Sequence, residues 1–149
     1  MKYAILSKGA LVVLACLLAA CNTVLLTSTF NDDDPLFLVQ KPVDGERMVM
    51  EALYEGSVVE VEGCLRLGDE PDSHTVVWPP AFSLSTQDDA QVVLDDEGHA
   101  VGRIGDFFRL GGGEVPTLWE NGLVDEVART AALDQCPGRY WLVGDVLQR

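Results

Sequence analysis

The sequence predicts a mainly β protein: a small antiparallel barrel, OB-like in architecture, with one short helix before its last strand. Three observations predict it. From Val59 to Leu67, apolar and polar residues alternate with a period of two, the pattern of a half-buried strand. Beyond them, apolar runs of strand length are separated by glycine, proline and aspartate turn signals, as in all-β domains. From Gly122 to Leu133 the apolar spacing changes to that of a helix.

The chain opens with Lys2 and Lys8, then an uncharged run from Ala10 to Leu18, then Ala19, Ala20 and Cys21. A basic start, a short apolar run and small residues at the cleavage point describe an export signal. The run falls short of the roughly 20 residues that a membrane-spanning helix needs. Leu18-Ala19-Ala20-Cys21 resembles the lipobox of a bacterial lipoprotein. The resemblance implies cleavage before Cys21, lipid on its thiol and fatty acylation, palmitate for example, at the new amino terminus. More than one acyl chain is needed, because a single chain binds a membrane only marginally. Asn22 rather than Asp follows the lipidated residue. In a Gram-negative cell that implies the outer membrane. The expected organisation is a signal peptide over 1–20, a tether over 21–45 and one barrel-like domain over 46–149.

Removing the signal leaves eight basic residues against 24 acidic ones, a formal net charge of −16. That charge repels nucleic acid and anionic headgroups. Nucleic acid is therefore excluded as a partner, and the expected membrane attachment is through lipid. Cys16 leaves with the signal and Cys21 carries lipid, so Cys64 and Cys136 remain. An even pair in an oxidising compartment reads as one disulfide.

Within the tether, Thr27-Ser28-Thr29 and Asn31-Asp32-Asp33-Asp34-Pro35 suit a solvated spacer. The aspartate run lacks the spaced ligands and glycine of a calcium loop. Leu36-Phe37-Leu38-Val39 interrupts the spacer, and docking on the domain is its expected role. Met48 to Tyr54 reads as strand or helix, with Gly56 as its end. Val59, Val61, Leu65 and Leu67 then oppose Glu60, Glu62 and Arg66, and Gly63 marks a bulge or tight bend. Cys64 falls on the polar parity, so it is either turned inward at Gly63 or bridged on the outer face.

His74 to Trp78 is a short strand stopped by Pro79-Pro80. Gln91 to Leu94 and His99 to Ile104 flank Asp95-Asp96-Glu97-Gly98, which reads as a hairpin turn. Gly105-Asp106 signals another turn before Phe107-Phe108-Arg109-Leu110, and Gly111-Gly112-Gly113 is expected to end that strand as a flexible loop. In the helix, Leu123, Val127 and Ala131 fall four apart, with Val124 and Ala128 on the adjoining face. Cys136-Pro137-Gly138 breaks it, and Tyr140 to Leu147 closes the barrel.

No catalytic constellation, cofactor motif or metal site is predicted. Glu114-Val115-Pro116 follow the glycine run where a phosphate loop needs lysine and a hydroxyl. His74 and His99, with Asp72, Asp95, Asp96 and Glu97 nearby, match no zinc spacing. The binding candidates are Trp78, Phe107, Phe108, Arg103 and Arg109, from an aromatic and arginine set that also holds Phe82 and Trp119. Such residue types anchor interfaces, although most of the aromatics are expected to build the core. Phe107 and Phe108 are neighbours, so a strand turns them to opposite faces. The expected function is a non-enzymatic binding module of the cell envelope with an envelope or secreted protein as partner. The alternative is a small-molecule or glycan-binding barrel, with hydrolases in that class. In layout, an anchor, a spacer and a stapled barrel, the chain is similar to lipoprotein inhibitors of lysozyme.

Overall fold

The computed structural model describes residues 34–42, 50–70, 72–118 and 122–147. All lie in the unit Asn31–Arg149. Cys21, Trp119 and most of the expected tether fall outside the described residues.

Among the described residues, nine strands and one helix follow in the order β1 (Leu38–Val39), β2 (Ala52–Val61), β3 (Cys64–Leu67), β4 (Thr75–Trp78), β5 (Ser83–Gln87), β6 (Ala90–Leu94), β7 (Ala100–Arg103), β8 (Phe107–Val115), α1 (Glu126–Gln135) and β9 (Tyr140–Val146). Strands β2, β3, β4, β9 and β8 close into a five-stranded barrel, with β8 returning to β2. All its neighbours are antiparallel except β4 and β9, which run parallel. The helix precedes the last strand, as predicted. The apolar patch at Leu36–Val39 docks on the domain: β1 adds to β4 in parallel, and the Leu36 amide donates to the Gly63 carbonyl at 2.7 Å.

The alternating stretch is a hairpin rather than one strand. Val61 faces Cys64 and Val58 faces Leu67 in register. Glu62 and Gly63 both take positive φ, 52° and 75°, the two-residue turn whose twist matches its flanking strands. Gly56 does not end the preceding element. Strand β2 runs through it, pairing with β8 from Ala52 to Ser57 and with β3 from Val58 to Val61. One long strand thus serves two neighbours. The glycine run does not end β8 either: Gly111, Gly112 and Gly113 lie inside it, paired to β9 across a bulge between Gly111 and Gly112. Gly112 permits the close approach of β9 at Leu142, and the run supplies no loop.

The barrel interior is filled by Val58, Leu65, Leu67, Val76, Trp78, Phe108, Leu110, Trp141 and Val143. A second sheet, β5-β6-β7, packs on the end where β4 and β9 finish and β8 begins. Its Val93 joins the same core. A Cβ at Gly102 in β7 would stand 2.5 Å from the Phe108 ring, so the two layers meet there with no spare room. Strand β5 was not predicted.

A separate apolar layer, including Leu38, Val77, Val115, Leu123, Val124, Ala132 and Leu142, lies on the outside of the barrel beneath α1. Asp125 caps α1 by accepting the Ala128 amide at 2.8 Å. The helix therefore begins later than the spacing suggests. Leu123 and Val124 reach this layer from the preceding segment, Ala128 and Ala132 supply the packed face of α1, and Val127 points to solvent with 74% exposure. The parity of Cys64 is also settled. It lies on the outer face with Arg66 and is bridged to Cys136, the C-cap of α1. Both cysteines are fully buried.

Candidate functional site

Aromatic placement follows strand parity. Trp78 is buried, stacked between Phe37 and Phe82 and met edge-on by Phe108. Trp78 and Phe108 therefore hold the barrel together. Trp78 leaves the predicted binding set because it is fully buried, and Phe108, also buried, reaches only the wall of an open groove beside Phe107. Phe107 has the opposite parity and is 52% exposed.

The register around Phe107 assembles a sheet face. Leu53 stands opposite Gly111, Glu55 opposite Arg109 and Ser57 opposite Phe107. On the other side of β8, Asp145 stands opposite Gly111, and the Leu147 amide donates to the Arg109 carbonyl at 2.9 Å. Residues two apart on a strand share a face, so these side chains point out of the barrel wall together. Leu53 is 49% exposed and Leu147 41%. With Phe107 they make three of the four large apolar side chains exposed among the described residues. The fourth, Val127, is on α1. At the centre, the Arg109 Nε donates to Glu55 Oε1 at 2.7 Å.

Beside this face runs an open groove of about 520 Å³, lined by Asp106, Phe107, Phe108, Arg109, Val146 and Leu147 among others. Arg103 is exposed at the end of β7, and its backbone amide donates to Asp106 Oδ2 at 3.3 Å. Phe107 and Arg109 are thus brought together, with Arg103 on the adjoining turn. Leu53, Glu55 and Leu147 were missed from sequence. Their signal is a shared strand parity, which has meaning only once β2, β8 and β9 are known to be neighbours.

The histidines take other roles. His74 Nε2 lies 3.0 Å from Glu114 Oε2, and Arg139 bridges Glu114 and Asp72. The close contact with His74 is the largest influence and lowers the Glu114 carboxyl. Desolvation opposes it next, and the charges of His74 and Arg139 add to the lowering, so the group lies below its usual range. Such a group stabilises the fold above its unfolded carboxylate value and loses that contribution as pH falls through its lower folded value. Melting temperature followed from about pH 6 to about pH 3 is expected to fall less steeply in Glu114→Gln than in the unmodified chain. Equal slopes would remove Glu114 from the acid response. His99 lies within 3.6 Å of Asp95 and 3.4 Å of Glu97 in the exposed β6–β7 turn. Cys64 and Cys136 are joined to each other, so neither offers the thiolate that nucleophilic or zinc chemistry requires.

No family model matches the chain, and neither a curated protein nor a solved structure matches it.

Proposed function

We propose that this chain is a lipid-anchored protein of the bacterial cell envelope, exported, acylated at Cys21 and acting as a non-enzymatic binding module. The observation that carries the binding role is the face of Leu53, Phe107 and Leu147 around the Glu55–Arg109 pair. Exposed apolar side chains gathered on one face with an arginine among them are the makings of a protein interface. A barrel packed with side chains and covered at one end favours its outer surface over its interior as the place of recognition. The charge balance disfavours nucleic acid, and the Leu18-Ala19-Ala20-Cys21 motif supports attachment to the membrane through lipid. Asn22 favours the outer membrane where the cell has one. The partner is an envelope or secreted protein.

Two measurements test this reading. Mass analysis of the full chain recovered from its own membranes is expected to find a chain that begins at a diacylglycerol-modified Cys21. Cys21→Ala is expected to remain unprocessed and unlipidated. An unmodified product still carrying Met1 would overturn the anchor. For the binding role, a photo-crosslinking residue at position 107 is expected to give protein adducts in intact envelopes, and one at position 127 none. Matching patterns from the two positions would count against the face.

A further inference from the structure

We propose that the outward face of β2 and β8 docks a second copy of this chain, about a twofold axis that runs along the strands between them. The inference rests on reading this face as the interaction surface, and it adds the partner. It does not depend on the anchor.

The register supplies the argument. In a face-to-face pair of sheets related by such an axis, each β2 lies over the partner's β8 with the rows kept. Glu55 then falls over Arg109 of the other copy, because the two are opposite each other within one chain. Leu53 falls over the other Gly111, and Phe107 over the other Ser57, by the same rule. Each contact is complementary: anion on cation, and a large exposed side chain above a small residue. Large-against-small alternation lets two facing sheets interdigitate at their usual spacing of about 10 Å. Each row also repeats itself under the twofold operation, as an isologous interface requires.

Charge points to the same occupant. The whole chain carries a net −14, so a basic partner is drawn to the many carboxylates elsewhere rather than to this face in particular. Here, by contrast, the central row holds one cation and one anion at 2.7 Å. Asp145 shares the face at the Gly111 row, so the match to a second copy is made by the Glu55–Arg109 row, where anion meets cation in both contacts. At physiological salt the remaining repulsion between two acidic copies is screened beyond about 8 Å, and contacts at this face act within that distance.

The test uses the full chain, co-expressed as two differently tagged copies, with capture through one tag and detection of the other. Unmodified copies are expected to co-purify. Glu55→Arg paired with itself places arginine over arginine, and Arg109→Glu paired with itself places glutamate over glutamate. Each is expected to lower capture by about tenfold or more. Glu55→Arg paired with Arg109→Glu restores opposite charges in both central contacts, and capture is expected to return. Loss of folding in a variant would not restore capture on mixing. Phe107→Glu, an exposed position, is a second variant expected to abolish self-capture while the Cys64–Cys136 bridge still forms. Absence of co-purification by unmodified copies, or equal capture from all pairings, would overturn the proposal. Adducts from position 107 to a different protein, with no self-capture, would leave the interaction face standing and remove the second copy as its occupant.

Discussion

Replacing Gly112 by alanine is expected to cost about 3 kcal/mol or more of folding stability, the upper end for forcing extra carbon into a packed site. A Cβ at Gly112 would overlap the Leu142 backbone carbonyl oxygen and stand 2.9 Å from Trp141 Nε1 and 3.0 Å from the Leu142 carbonyl carbon. Backbone on the partner strand cannot swing aside as a side-chain tip can. Relief requires β8 and β9 to separate where the barrel closes. Domain stabilities are commonly about 5–15 kcal/mol, so this one methyl group removes a large fraction of the total. The neighbouring glycines provide an internal scale. At Gly113 the added atom meets Met50, with its Sδ at 2.7 Å and its Cβ at 2.9 Å, so a mobile side chain can move in part. At Gly111 the nearest atoms lie at 3.7 Å or beyond, an ordinary contact. Denaturant unfolding of the three alanine variants is expected to rank 112 as the most damaging, then 113, then 111. Equal losses at 111 and 112 would refute the close-approach account.

Strand content and turn positions were legible where local chemistry determines them. Asp95-Asp96-Glu97-Gly98 forms the predicted turn because Asp95 Oδ1 accepts the Glu97 and His99 amides while Gly98 takes a φ of 83°. Pro79 follows the end of β4, and Cys136 ends α1. Elements whose reasons lie elsewhere in the chain were not legible. Ser83–Gln87 has little apolar content, yet it is held as β5 by a full ladder with β6. Its connection, Asp88-Asp89, takes positive φ at both residues without a glycine to announce it. Local composition likewise made Gly111-Gly112-Gly113 a loop. Only the approach of Leu142 and Met50, from distant parts of the chain, explains why side chains are absent from a strand interior there. Parity assigned Cys64 to the outer face or to an inward turn. The choice depended on α1 covering that face.

The binding face divides in the same way. Adjacency alone required Phe107 and Phe108 to part company, and they do. Identifying Phe107 as the outward one required knowing which side of β8 faces Trp78. Arg109 stood out as a rare cation, but its counterpart Glu55 was one of 24 acidic residues. Pairing of β2 with β8 makes that carboxylate particular. The self-matching order of Leu53, Glu55 and Ser57 against Gly111, Arg109 and Phe107 is a property of two strands together. Neither segment carries it alone.

Removal of the bridge, as the double variant Cys64→Ser/Cys136→Ser, is the second large effect expected. The cysteines are 72 residues apart, and the chain-entropy treatment assigns a loop of that length about 4 kcal/mol. For a domain of this size that corresponds to a fall in melting temperature on the order of 15 °C. Position determines where the loss appears. The bridge joins the start of β3 to the end of α1, outside the barrel interior. The layer beneath α1 is bounded there by Tyr140, whose hydroxyl donates to the Cys136 carbonyl at 3.1 Å. Without the bridge, the α1 and early β9 amides are expected to exchange sooner than those of β2 and β8, which pair along most of the barrel wall. Hydrogen exchange on the full chain, with and without reductant, separates this from uniform destabilisation. Reductant is expected to reproduce the double variant in the unmodified chain and to leave the variant itself unchanged. An unchanged melting temperature under reduction would mean that packing beneath α1 suffices without the covalent tie.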